Sequence, residues 1–212
     1  TEEDRYRTLL THLDEMAQAG LTAAHDAMST PRLVEMFERA LADDRLKLRV
    51  RFGMVMVPGV GGYSRQHHLE RPITEADVAP YVNLRNKLQG SLLRVTSIKG
   101  VLDGTVDAMT AVMDKPYVGT DITGIPFWET NELNQTVSLY DKLGFQVMLH
   151  AIGDKAVAQG LDSFAYAARV NGTTGRRHRI EHAEVPRLED LRRMHDLGVI
   201  VVTTPMFANP DE

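Results

Sequence analysis

The chain has 212 residues, 43% of them hydrophobic and 25% charged, which suits one soluble globular domain, or two small ones, with a sizeable core. Its 24 basic and 29 acidic side chains give a net charge of -5 and a pI near 5.9, so it lacks the basic footprint that nucleic acid or an anionic membrane would require. With zero cysteines there is no disulfide framework and no thiolate metal site, which agrees with a reducing, cytoplasmic setting without excluding export. No apolar run is long enough to span a bilayer, and the start does not read as a signal peptide.

In chain order, residues 2–19 read as a helix: Tyr6, Leu9, Leu10, Leu13 and Met16 recur at helical spacing, Thr1 can cap the start and Gly20 the end. LTAAHDA follows as a short strand. Thr30-Pro31 opens a second helix, with Leu33, Phe37 and Leu41 expected on one face. LKLRVRFGMVMV is strand-like, and its first half alternates basic with apolar residues. PGVGGYSRQHHLERP reads as a loop in which His67 and His68 are solvated; GVGGY lacks the Lys-Ser/Thr of a nucleotide phosphate loop. Thr74 can cap a helix to about Leu88 despite Pro80, and SLLRVTSIKGVL is the next strand. The stretch from Asp103 to Trp128 has no clear periodicity and reads as a long loop on the active face, with a short helical turn at most. Thr130 is expected to cap a helix ending at Leu143-Gly144. FQVMLHAI is a strand, followed by a helix to about Val170, a turn from Asn171 to Gly175, the strand HRIEHAE, a helix opened by Pro186, and a last strand VIVVTTPM.

Strands are thus expected near 21–26, 46–57, 92–99, 145–151, 178–183 and 199–204. At Gly20-Leu21, Gly144-Phe145 and Gly198-Val199 a helix ends in glycine and a strand begins at the next residue. Alternating strands and amphipathic helices predict a parallel sheet of right-handed βαβ units, either open and doubly wound or most of an eight-stranded barrel. No G-x-G-x-x-G joins a first strand to a helix, so the dinucleotide-binding version lacks support.

Four polar residues sit at strand ends: His25, Lys99, His150 and His182. In a parallel barrel such positions converge on one mouth, where they can hold metal ions. Taken alone, His150 reads as a core histidine bonded to a backbone carbonyl; in company it reads as a ligand, with Asp154 orienting the loop or a ligand from behind. Glu181 and His182 are strand neighbours, so only one can point inward. His182 is the expected ligand, leaving Glu181 to face the helices and pair with Arg177 or Arg179. A buried Lys99 amine can react with carbon dioxide to give a carbamate, an anionic ligand able to bridge two divalent ions. His25 can line the pocket or serve a turn. Asp103 can bind substrate or hold the loop. Asp107 reads as surface, and His178 begins its strand, at the wrong end for catalysis.

HAIGDKAV, RHRIEHAEV and LGVIVVTTPMF, with GLTAAHDA and IKGVLDGTVDAMTAVMDKPY before them, resemble the metal-dependent amidohydrolase superfamily, in particular its N-substituted formamide deformylase-like branch. The resemblance covers nearly the whole chain in the same order. It implies an α/β fold, the (β/α)8 TIM barrel of the amidohydrolase type, of which residues 1–212 would be a partial catalytic domain with about six of eight βα units, strands two to seven. It identifies Lys99 with the fourth-strand lysine, carbamylated in many members, and His150 and His182 with the fifth- and sixth-strand ligands. One or two divalent ions, commonly zinc, are implied. The family's first-strand H-x-H pair, its eighth-strand aspartate and its β-sandwich are not found in this sequence. The chain opens TEEDRY and stops at FANPDE, so both ends are expected to be boundaries within a longer polypeptide. The resemblance implies hydrolysis of a carbon-nitrogen bond in a small non-peptide amide or formamide by a metal-activated water. The fragment itself is expected to hold metal weakly or not at all, to be inactive, and to self-associate or form a homo-oligomer through open barrel edges. The rival readings are a non-enzymatic α/β binding module with structural histidines and a deaminase on the same scaffold.

Overall fold

The structure, a computed structural model, describes residues 1–59, 71–172 and 174–205. His67, His68 and most of the loop expected around them lie outside those residues. Among the described residues six helices and six strands alternate strictly: α1 (Glu2–Gln18), β1 (Ala23–Ser29), α2 (Pro31–Ala42), β2 (Arg49–Val55), α3 (Glu75–Lys87), β3 (Leu93–Val101), α4 (Thr130–Lys142), β4 (Gln146–Ala151), α5 (Asp154–Asn171), β5 (Arg179–His182), α6 (Leu188–Asp196) and β6 (Ile200–Val202). The strands form one sheet in the order β1-β2-β3-β4-β5-β6, every neighbouring pair parallel. With right-handed crossovers, sequential order puts all the helices on one face and leaves the other concave. The result is a half-barrel with β1 and β6 at its edges.

The helix-facing side is the hydrophobic core. Val50, Phe52 and Met54 of β2, Val95 and Ile98 of β3 and Val147 and Leu149 of β4 are all buried there. Phe37 of α2 meets Phe52 edge to face, ring centroids 5.2 Å apart. The buried face of α2 is Val34, Phe37 and Ala40; Leu41 is exposed, so the face lies one residue away from the one expected from Leu33 and Leu41. Thr130 is the first residue of α4, and Glu129 takes the cap position. The helix expected to open at Pro186 begins at Leu188. Pro80 lies inside α3, where its missing N–H costs one backbone hydrogen bond on an exposed face. Gly20, Gly144 and Gly198 all have positive φ, at 81°, 84° and 63°, and turn each helix end directly into the next strand.

Candidate metal site at the carboxyl ends of the strands

Register determines which side chains share the concave face. Lys99 of β3 is level with Val55 and Met148, and Val101 is level with His150, which is level with Glu181. Lys99, His150 and Glu181 therefore point the same way, into the half-barrel. Alternation alone would send His182 toward the helices. It does not, because His182 has φ +76° and Ala183 φ +48°, both in the left-handed region that non-glycine residues rarely adopt. That twist ends β5 and brings the His182 ring to 4.5 Å from the His150 ring, edge to face. Strain of this kind, at about 1–3 kcal/mol per residue, persists where the surroundings enforce it and concentrates at functional sites.

The same register corrects the expected place of Glu181. It lies on the concave face and is buried, so it does not face the helices. Its partner is Arg179, two residues earlier on the same face, with Nε 2.7 Å from Oε1 and Nη2 3.0 Å from Oε2. Arg179 Nη1 also reaches His25 Nδ1 at 3.3 Å, and His25 Nε2 lies 3.2 Å from Ser97 Oγ. His25 is thus bound at both nitrogens in a polar chain below the mouth. Sequence reasoning missed this Glu181–Arg179–His25–Ser97 chain, although the two-residue spacing of Arg179 and Glu181 on a strand was a usable signal.

Lys99 is 6% exposed, and its Nζ makes no hydrogen bond or ion pair among the described residues. Burial pulls its pKa down to about 8 against the opposing pull of Glu181, with Arg179 adding to the fall. His150 is pulled down to about 4, first by burial and then by the charges of Lys99 and His182. Burial, then Lys99, likewise lowers His182. Both shifts favour the neutral imidazole, the form a metal requires. His150 Nε2 lies 3.0 Å from the Gly104 carbonyl, so that nitrogen carries the proton and Nδ1 holds the free lone pair.

Asp103 is almost wholly buried and accepts three backbone N–H bonds, from Val112 (2.9 Å), Ile152 (3.0 Å) and Gly153 (2.9 Å). Of the two roles open to it in the sequence, it performs the loop-holding one. Gly153 belongs to this clasp, since a Cβ there would lie 2.1 Å from the Val112 carbonyl oxygen. Asp154 Oδ1 takes the Asp114 N–H at 2.8 Å and so fastens the loop from the other side. The loop has turns but no helix, and Trp128 Nε1 bonds Val101 O at 3.0 Å. Over the site lies a cavity of about 770 Å³ lined by Thr105, Val106, Asp107, His150, Ile152, His182, Glu184 and Val185. Asp107, expected at the surface, is exposed and also lines this cavity.

The donor set fits a divalent ion only in part. Two adjacent neutral imidazoles are suitable, and Lys99 adds an anionic oxygen only as a carbamate. Among the described residues, no three His, Cys, Asp or Glu side chains gather into a metal-holding group.

An all-parallel βα half-barrel, with its polar cluster at the carboxyl ends of the strands, places the chain in the class of (β/α)-barrel domains. The chain belongs to the amidohydrolase family, whose model matches residues 1–212. It is 31% identical over 137 residues to the exoenzymes regulatory protein AepA of Pectobacterium carotovorum subsp. carotovorum, covering 64% of this chain and 29% of that protein. It is 26% identical over 210 residues to the N-substituted formamide deformylase of Arthrobacter pascens, covering 97% of this chain and 36% of that enzyme. The fold matches that of an uncharacterized metal-dependent hydrolase from Pyrococcus furiosus with a TM-score of 0.72 at 22% identity, over 98% of this chain and 39% of that one. The chain therefore spans about a third of these proteins.

Proposed function

We propose that this chain supplies the middle of the metal-binding mouth of a hydrolase that cleaves a carbon-nitrogen bond in a small, non-peptide amide or formamide. The observation that carries this reading is the convergence of Lys99, His150 and His182: two imidazole rings at 4.5 Å, one held by a left-handed backbone, beside a buried amine without a partner among the described residues. Family membership and the deformylase relative support the reaction class.

In this reading Lys99, as its carbamate, His150 and His182 hold one or two divalent ions, zinc being the first choice for an imidazole and oxygen donor set. When bound, such an ion supplies Lewis acidity and a water whose pKa falls to about 7. The chain's own part is positional. Asp103 and Asp154 fix the loop that roofs the cavity, Arg179 and Glu181 brace the face below Lys99, and Val106, Ile152 and Val185 present apolar surface to the substrate. Carbamylation joins the neutral Nζ to the carbon of carbon dioxide and releases one proton. None of these three residues is the base that relays a proton to the leaving amine.

Three donors are fewer than a tetrahedral site with a well-held ion needs. The 212-residue chain alone is therefore expected to bind zinc weakly and to turn over no formamide, whereas a longer polypeptide containing it does both. Zinc content and formamide hydrolysis, measured on both, test this. Stoichiometric tight zinc with turnover in the short chain overturns the division of labour. His150→Ala and His182→Ala in the long form should lose metal and activity while keeping the fold; retained activity in either overturns the assignment.

A further inference from the structure

Away from the metal mouth the chain carries a second cavity, of about 390 Å³, a volume typical of small-molecule sites. It shares no lining residue with the cavity over His150 and His182, and no strand residue lines it. Its walls are the loop between β3 and α4, the start of α4, the first turns of α5, and Arg187 just before α6. These belong to three consecutive units in the middle of the chain, with β2 and α3 on one side and β6 on the other. The walls therefore do not depend on the units that close the barrel.

The apolar part of the lining is Trp128, Val112, Ala158 and Pro126, the first three buried. The polar part carries an unmet donor: Arg187 Nε is buried, yet it has no hydrogen-bond partner among the described residues. A guanidinium holds a carboxylate best along an edge of two nitrogens. Asp114 pairs with Nη2, and Glu189 stays 3.7 Å from Nη1, which leaves Nε to donate elsewhere. A buried donor without an acceptor is costly and rare, so this one points to an acceptor entering from the cavity that Arg187 lines. A second cation, the exposed Lys155, lines the same cavity. Backbone donors there are already engaged, since the N–H groups of Lys155 and Ala156 bond Val112 O at 3.2 and 3.4 Å. An anion must therefore be met by side chains. Of the three lining carboxylates, Asp114 is neutralised by Arg187 and Asp162 by Arg193, while Glu129 is exposed.

We propose that this cavity binds a small carboxylic acid with a short aliphatic tail, its carboxylate taken by Arg187 Nε and Lys155 Nζ and its tail laid against Trp128 and Val112. The orphaned donor calls for an acceptor, the lysine beside it for a negative one, and the apolar lining for a tail. The volume limits the occupant to a small molecule. The inference needs no metal and does not rest on the proposed hydrolysis.

The chain has a single tryptophan and it lines this cavity, so Trp128 fluorescence reports occupancy directly. The 212-residue chain is titrated with 4-methylpentanoate at neutral pH in EDTA, which keeps any ion at the metal mouth from taking the carboxylate. Emission should change saturably. The neutral 4-methylpentanamide should bind about tenfold more weakly, the worth of one charge-assisted hydrogen bond, and acetate, which lacks the tail, should also bind more weakly. R187K keeps a cation for Asp114 but removes the Nε donor, and should raise the Kd about tenfold. K155Q changes an exposed side chain and should raise it about threefold; it carries the test if R187K folds poorly. R32Q, on α2, should change nothing. The longer polypeptide should bind the acid with the same Kd, because every wall of the cavity lies within this chain. No saturable change, equal affinity for acid and amide, or a Kd unmoved by both R187K and K155Q in folded protein overturns the proposal. So does displacement by acetate or inorganic phosphate at equal concentration, the mark of a general anion patch.

Discussion

Two histidines at opposite ends of β5 show how packing and function separate. His178, at the start of β5, has every polar atom occupied. Its Nδ1 accepts the Val147 N–H at 3.0 Å, its Nε2 lies 3.3 Å from Asp141 Oδ1, and its ring stacks on Phe164 at 4.8 Å. Asp141 in turn holds Arg176 at 3.0 Å and Asn171 at 2.7 Å. His182, at the other end of the same strand, shares no such network among the described residues: its ring rests on His150, and its backbone is strained. A histidine built for stability saturates its nitrogens, and one available to a ligand keeps a lone pair and a cost. His150 stands between them, with one nitrogen on Gly104 O and one open among the described residues.

The comparison breaks most readily at Asp141. Asp141→Ala deprives buried His178 and the partly exposed Arg176 of a fully buried anion and should cost about 3 kcal/mol in urea unfolding; a loss under about 1 kcal/mol would erase the contrast. Next is pH. His150 has a folded pKa of about 4 against about 6.5 unfolded, so its neutral form adds stability above pH 6.5 that is lost as pH falls toward 4. The loss is about 3 kcal/mol at most, and His150→Asn should flatten the stability curve across that window. Curves that coincide for the two proteins would refute this. Asp103→Asn keeps the shape of the clasp but replaces an acceptor oxygen with a donor, and should cost about 2–3 kcal/mol; proteolysis between Thr105 and Thr123 should rise with it. His182→Asn should have the smallest effect, within about 1 kcal/mol of the parent, because asparagine tolerates the left-handed region. In the longer polypeptide that substitution should nonetheless abolish metal binding, and a destabilisation as large as that of Asp141→Ala would make His182 structural.

The architecture was legible because its punctuation is local. Glycine at three helix ends, Gly20, Gly144 and Gly198, with apolar runs directly after them, signals the βα alternation, and all six strands fall within about three residues of their expected ends. The placement of Lys99 and His150 on one face follows from the register of β3 against β4. Glu181 was misplaced because alternation fails one residue later. A left-handed histidine leaves no mark in the residue types His-Ala, whereas a glycine there would have. The role of Asp103 was ambiguous for a different reason: its three N–H donors come from positions 9, 49 and 50 residues away, a distance no local pattern spans.

The carboxylate clasp at Asp103 has a kinetic consequence. By joining the tip of β3, the roof loop and the first turn of α5, it orders the vestibule while the chain folds rather than when a guest arrives. Molecules entering that vestibule meet a preshaped opening, so their capture should follow collision frequency and solvent viscosity rather than a slow closing motion.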